Sequence, residues 1–328
     1  MPLYPLKFKP LLKSKLWGGT KLGTFYGKVL EGHSHVGESW ELSGFGGEQT
    51  VVTNGFLADN TLGELVEVYM GELVGEKVYE TYGDEFPLLF KLIDANDNLS
   101  VQVHPDDEVA RELHDANGKS EMWYVLHAEP GAQIIAGLKQ PMTERQIREA
   151  LDNGSILGLL QTIPVKIGDV INIPPGLVHS LGRGVMVAEI QQASDITYRL
   201  YDYGRVDANG QPRDLHIDNA LRVIDLDNRH TPLVNYTPQN NAAVNIVSND
   251  YFTTNIICFD RTIVRDYSPL DSFVVYMCLT GVCTLRSDDN TLTLKAGETI
   301  LLPATTAEVT LRPLVHEQIK LLEVYIQI

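Results

Sequence analysis

The stretch Leu99-Ser100-Val101-Gln102-Val103-His104-Pro105 combines residue types able to hold a cation with a pattern able to aim them. In an extended strand, residues two apart share a face. Gln102 and His104 therefore look one way, and Val101 and Val103 the other way into a core. Pro105 has no N–H to give and ends the ladder. Two further segments carry complementary groups. In Gly118-Lys119-Ser120-Glu121-Met122-Trp123-Tyr124, Lys119 and Glu121 share a face at the start of a strand. In Gly168-Asp169-Val170-Ile171-Asn172-Ile173-Pro174-Pro175-Gly176-Leu177-Val178-His179, a short apolar strand runs into a Pro-Pro-Gly turn that aims His179. Gln102, His104, Glu121 and His179 together offer two imidazole nitrogens, a carboxylate and an amide oxygen. That set suits zinc with open positions, and iron, manganese or cobalt also fit it. Taken singly, each has a plainer role: a hydrogen-bonded core histidine, a strand carboxylate beside an exposed Lys119, a structural amide. It is the four together that point to a metal.

A second cluster runs from Glu189 to Arg205. Glu189 and Gln191 share one strand face. Arg199 offers a planar fork of donors for a phosphate or a developing enediolate oxygen, or else a salt bridge to Asp195 or Asp202. Trp17 and Trp40 lie in loop-to-strand segments and serve either to line a sugar pocket or to fill a core. His33, His35, His114, His127, His216 and His230 have no comparable context, so surface or turn roles are expected for them.

The elements that must position these residues are mostly short strands. Runs at 101–104, 122–126, 133–137, 165–167, 170–173 and 185–190 are β-branched or aromatic and bounded by turn residues. Helical spacing of apolar residues marks 62–82, 141–153 with Thr143 as N-cap, and 214–225. A polar stretch at 227–241 reads as a linker. A weak repeat crosses it: Gly168 to His179 parallels Gly297 to Glu308, each with a Gly-acid turn, a four-residue apolar strand and a Pro turn. Glu308 stands in the place of His179, and Thr305 in that of Gly176. The first copy, Gly-x5-Pro-x-Gly-x2-His, resembles the second motif of the cupin family. The expected fold is mainly β, with two cupin-like (jelly-roll) barrels and a few helices. Residues 1–228 would form a catalytic barrel with an N-terminal segment and helical insertions, and 229–328 a degenerate second one.

Composition narrows the partners. A chain of 328 residues with 44% hydrophobic content can bury a large core in one or two domains. Its 43 acidic against 26 basic residues give a net charge of −17, which argues against nucleic acid or an anionic membrane. A small anionic substrate needs only a few local cations. No apolar run approaches the ~20 residues of a membrane span. The first fifteen residues mix Lys and Pro with short apolar pairs, so no signal peptide is expected. Cys258, Cys278 and Cys283 are few, odd in number and set in apolar sequence, which predicts reduced thiols in a cytoplasmic protein.

In their order along the chain, these motifs resemble those of type I mannose-6-phosphate isomerases (phosphomannose isomerases) of the short bacterial kind. The segments that match are Trp17-Gly18-Gly19, Gly37-Glu38-Ser39-Trp40-Glu41, Phe86-Pro87-Leu88-Leu89-Phe90-Lys91 and residues 99–105, 118–124, 174–179 and 189–199. The resemblance implies zinc, one per chain, on Gln102, His104, Glu121 and His179, with other divalent metals as substitutes. It implies an essential arginine at Arg199 with acidic neighbours Glu189 and Asp195. Lys119 is a candidate base, with Glu189 and a metal-bound water as rivals. The long helical insertion of larger members is absent, as about 58 residues separate Glu121 from His179. The implied reaction interconverts mannose 6-phosphate and fructose 6-phosphate through a cis-enediol, in a monomer or homodimer whose partner is a small sugar phosphate. Two alternatives remain: an iron oxygenase on the same scaffold, which ordinarily needs three histidines, and a non-catalytic sugar-phosphate-binding cupin.

Overall fold

The computed structural model describes residues 2–29, 32, 35–206, 209–227, 231–314 and 317–328. The chain divides into two compact β units, each drawn from separate stretches. One comprises Leu12–Ser39 and Lys91–Val234; the other comprises Met1–Leu11, Trp40–Phe90 and Asn235–Ile328. The single cut expected after residue 228 lies close to the last of these crossings, and the earlier crossings have no counterpart in it. Their cause is a ladder between distant segments. Strand Leu6–Lys9 pairs antiparallel with Thr299–Leu302, placing Leu6 opposite Leu301, and Val51–Val52 pairs on its other side. No local pattern announces a pairing across nearly the whole chain.

In the unit containing Lys91–Val234, one sheet includes, side by side, Leu233–Val234, Val170–Ile173, Glu121–Ala128, Val185–Gln192 and, from Lys91 on, the strand Leu88–Ala95. A second sheet runs Tyr198–Tyr201, Val101–Val103, His179–Leu181, Gln133–Leu138 and Leu160–Pro164. Trp123, Val125, Ile171 and Val187 from the first sheet pack against Ile134, Ala136 and Leu181 from the second. Each large apolar side chain so buried stabilises the fold by about 1.5–3 kcal/mol.

The other unit repeats the plan. A seven-stranded sheet contains Thr253–Phe259, Ile319–Tyr325, Val274–Thr280 and Thr299–Leu302, and a four-stranded sheet contains Ile263–Asp266 and Glu308–Pro313. Tyr276, Ile300 and Leu321 of the larger sheet meet Leu285, Leu294 and Leu311 of the smaller. The sequence repeat is a structural one. Val170–Ile173 pairs with Ile173 opposite Glu121, and Thr299–Leu302 pairs with Leu302 opposite Val274. Gly168 and Gly297, with φ of 91° and 83°, turn the chain into these strands in a conformation that favours glycine.

Several elements differ from expectation. The helix expected over 62–82 is interrupted twice: Leu62–Val74 is kinked at Met70, whose φ of 45° and ψ of −128° are not helical, and Glu76–Tyr82 follows as a separate helix. Gly75 divides them at φ 101°, and a Cβ there would fall 2.4 Å from the Asp271 backbone oxygen. The Asp271 carboxylate then accepts from the Glu76 and Lys77 amides at 2.8 and 3.1 Å, starting the second helix. The helix at Glu144–Asp152 begins as expected on Thr143, which forms a capping box with Gln146. The third is shortened to Ile217–Val223. The strand expected at 165–167 lies instead at Leu160–Pro164; Lys166 and Asp169 close a turn after it. Helix Asp107–His114, capped by Asp106, was not anticipated.

Candidate metal centre

Register brings the predicted residues together. Across four neighbouring strands, Arg199 lies opposite Gln102, Gln102 opposite His179, and His179 opposite Ala136. Residues so paired project to one face. On the other sheet, Glu121 sits between Gln191 and Ile173. His104 follows directly on Val101–Val103. His104, Glu121 and His179 are fully buried, and one ligand atom from each falls within 4.8 Å of the others.

Hydrogen bonds decide how these atoms face each other. His179 Nδ1 lies 2.8 Å from the Leu177 carbonyl and His104 Nδ1 lies 2.8 Å from that of Ile196. A carbonyl only accepts, so each Nδ1 carries the proton and each Nε2 presents a lone pair. His179 Nε2 then stands 3.1 Å from Glu121 Oε1, and His104 Nε2 stands 3.5 Å from Glu121 Oε2. The first contact is short enough for a hydrogen bond but has no proton to share, and buried Oε1 has no donor. Lone pairs converging in a buried space are reconciled by a cation, so the donors fit a divalent metal. Burial, then the Lys119 ammonium, hold the His104 imidazolium well below the usual histidine range. Burial alone would raise Glu121, but the Lys119 ammonium beside it holds it well below the usual carboxylate range, so it is ionised. Gln102 is close by, its Nε2 3.4 Å from His179 Nε2 and its Oε1 accepting from Ser100 Oγ at 3.3 Å.

Lys119 is buried, not an exposed partner. Its Nζ donates to Glu121 Oε2 at 2.7 Å and lies 3.2 Å from His104 Nε2. The loop that carries it passes so close to Asp106 that a Cβ on Gly118 would sit 2.5 Å from backbone. The Lys119 amide is tied to the Pro105 carbonyl at 3.0 Å. Glu189 is also buried, and both its oxygens are engaged, by Trp123 Nε1 at 2.8 Å and Lys91 Nζ at 3.1 Å. Trp123 in turn meets His179 edge to face at 5.5 Å. Lys91 was missed as a site residue; its signal is a lysine set inside the apolar run Leu88-Leu89-Phe90-Lys91-Leu92-Ile93. Burial disfavours its charge, yet Glu189 and Glu38 outweigh this and raise its pKa.

Arg199 forms neither expected salt bridge. Its Nε reaches Ser100 Oγ at 3.3 Å and its Nη1 the Asp214 carbonyl at 2.8 Å. Asp202 is held instead by Arg205 and by Arg213, whose Nε and Nη2 lie 2.7 and 2.6 Å from its two oxygens. Arg205 also donates to the Asn98 carbonyl. Asp195 is exposed, and its backbone carbonyl accepts from Thr197 Oγ1 at 3.2 Å. Trp17 and Trp40 are both buried, which is the core role. His33 and His230 lie outside the described residues.

Known proteins share this arrangement of strands. The family model for the phosphomannose isomerase type I catalytic domain matches residues 6–136, and that for the mannose-6-phosphate isomerase cupin domain matches 243–316. A probable mannose-6-phosphate isomerase of Bacillus subtilis is 36% identical over 317 residues, covering 94% of this chain and 96% of its own. The chain belongs to the mannose-6-phosphate isomerase family. A second Bacillus subtilis isomerase of that name is 41% identical over 236 residues, covering 70% of this chain and 72% of its own. A crystal structure of mannose 6-phosphate isomerase from Bacillus subtilis superposes with a TM-score of 0.86 at 31% identity, covering 98% and 99% of the two chains. Within this isomerase family fold, the catalytic-domain match contains Gln102, His104, Lys119 and Glu121. His179 and Arg199 lie beyond it and reach the centre through strand register.

Proposed function

We propose that this chain is a metal-dependent aldose–ketose isomerase that interconverts mannose 6-phosphate and fructose 6-phosphate. The observation that carries the reading is the convergence of His104 Nε2, His179 Nε2 and a donorless Glu121 oxygen beside buried Lys119, in a chain of this family. His104, Glu121 and His179 would hold one zinc per chain, with Gln102 beside them. The bound ion would supply Lewis-acid polarisation of the sugar oxygens. The reaction needs no redox partner: the carbonyl moves from C1 to C2 as a proton leaves C2 and one is delivered to C1 through a cis-enediol. Lys119 is the acid–base group in this reading, because its Nζ lies among the ligands while both oxygens of Glu189 are engaged. Arg199, beside Gln102, stabilises the developing negative oxygen. Arg205 adds positive charge at the Asn98 carbonyl, and it shares Asp202 with Arg213. Arg205 reaches the Asn98 carbonyl and Arg199 reaches Ser100 Oγ, so both guanidiniums contact the segment that leads into Val101–Val103.

Among the described residues no helix is long and apolar enough to cross a membrane, and Cys258, Cys278 and Cys283 are unpaired. Free thiols are what the reducing interior of a cell would leave, in keeping with a cytoplasmic enzyme. A coupled assay for fructose 6-phosphate formed from mannose 6-phosphate tests the activity. Turnover is expected with zinc present; its absence from zinc-loaded protein would overturn the assignment.

A further inference from the structure

His216 had no assigned role, yet its imidazole is spent on the catalytic arginine. Three hydrogen bonds tie the segment 214–216 to Arg199. The Arg199 amide donates to His216 Nδ1 at 3.3 Å, the His216 amide donates to the Arg199 carbonyl at 2.8 Å, and Arg199 Nη1 donates to the Asp214 carbonyl at 2.8 Å. Strand Tyr198–Tyr201 is the edge of its sheet. Because the N–H and C=O of Arg199 both turn outward to His216, its pairing with Gln102 is of the non-hydrogen-bonded kind. In that kind the Cα atoms approach to about 4.5 Å and side chains are closest. The register shifts between Arg199 and Tyr201, so the ladder loosens just past this point and fixes Arg199 less than an unbroken strand would.

The ring is not there to cap a helix. His216 is the N-cap residue of Ile217–Val223, but its side chain makes no cap hydrogen bond. The ring is held from behind by Tyr198, 6.4 Å away between centroids, whose hydroxyl is bonded to His114 Nε2 at 2.7 Å. Burial, then the charge of Arg199, lowers the His216 pKa, with Asp214 opposing and His114 adding to the shift. The neutral ring keeps the Nδ1 lone pair that the Arg199 amide requires.

We propose that His216 is a positioning residue for the isomerisation: its Nδ1 fixes the edge of the strand at Arg199 and so holds the guanidinium beside Gln102 and the metal centre. The proposal rests on the reading that Arg199 acts on substrate oxygens. Asparagine places an acceptor oxygen where Nδ1 stands, whereas glutamine places one a bond further out, nearer Nε2. His216→Asn, His216→Gln and His216→Ala are compared for kcat, KM, bound zinc and hydrogen exchange at the Arg199 amide. His216→Gln and His216→Ala are expected to lose about 10–100-fold in kcat with a smaller change in KM and unchanged zinc. His216→Asn is expected to recover to within about threefold of the parent. The Arg199 amide should stay protected in His216→Asn and exchange faster in the other two. Equal kcat in the glutamine and asparagine variants, or a loss that follows zinc content, would overturn the positioning role. Hydrogen exchange reads the clamp even if the parent fails to turn over mannose 6-phosphate. Unchanged protection of Arg199 in His216→Gln and His216→Ala would defeat the clamp, while a silent parent with the expected exchange pattern would defeat only the isomerase reading.

Discussion

Where one β unit places Glu121 opposite Ile173, the other places Val274 opposite Leu302. The same registers put Tyr276 in the place of Trp123 and Glu323 in the place of Glu189. The repeat puts Glu308 in the place of His179. Both units therefore keep a buried carboxylate on the same strand, and they satisfy it differently. Glu323 receives Arg265 at 2.9 and 3.0 Å, Asn255 at 2.8 Å and the Tyr267 hydroxyl. Its partners leave neither oxygen without a donor, and the charge serves the fold. In the first unit Glu189 is likewise satisfied, but one row away Glu121 Oε1 faces a histidine lone pair with no donor. The difference teaches where to look for chemistry. Buried charge is common to both interiors, whereas unreconciled charge is found in the one that retains the histidines.

The comparison can be broken at several points. The largest effect is expected from His104→Ala, which removes one of two imidazole donors. Loss of about 4 kcal/mol of transition-state stabilisation corresponds to roughly a thousandfold fall in kcat/KM, and bound metal should fall with it; steady-state kinetics beside elemental analysis of the purified variant would show both. Arg199→Lys comes next. It keeps the charge but loses the planar fork, and kcat should drop by about 100-fold while zinc content holds, a split that separates anion stabilisation from metal binding. In the other unit, Glu323→Gln strands Arg265 beside a neutral amide. Denaturant unfolding should then show a loss of about 3 kcal/mol, with kcat at permissive temperature within twofold of the parent. A fall in kcat without loss of stability would mean that the second interior contributes to chemistry after all. The smallest effect belongs to Glu308→Ala. That side chain is exposed at the position equivalent to His179, and both stability and rate should stay within about 0.5 kcal/mol of the parent.

Much of the centre was legible because it is written in strands. Alternation put Gln102 with His104 and Lys119 with Glu121, and a Pro-Pro-Gly turn marked His179 as aimed; each of these survives in the folded chain. The fold class was legible for the same reason, since short β-branched runs bounded by turn residues recur to the end of the sequence. What was not legible depended on distance along the chain. Lys91 matters because it meets Glu189, about a hundred residues on, and His216 because it meets the edge of a strand seventeen residues back. The apolar neighbours of Lys91 mark it as buried but do not name Glu189, and nothing beside His216 points to Arg199. The pairing of Leu6–Lys9 with Thr299–Leu302 escaped for that reason too. Gly75 is a different case. Apolar spacing continues smoothly through it, and only the approach of the Asp271 backbone forces the break. Asp195 shows the converse: a carboxylate close in sequence to Arg199 that the chain leaves exposed, while Asp202 is gathered by two arginines further on.

The central claim is that the metal chemistry belongs to His104, Glu121 and His179 and not to the parallel place in the second unit. Metal stoichiometry measured together with mannose 6-phosphate turnover, for the parent and for Glu121→Ala, tests it most directly. The account predicts one zinc per chain and turnover in the parent, loss of turnover on chelation with recovery on adding zinc, and neither metal nor turnover in Glu121→Ala. A parent that turns over at full rate when metal-free, or a Glu121→Ala protein that keeps its zinc and its rate, would contradict it.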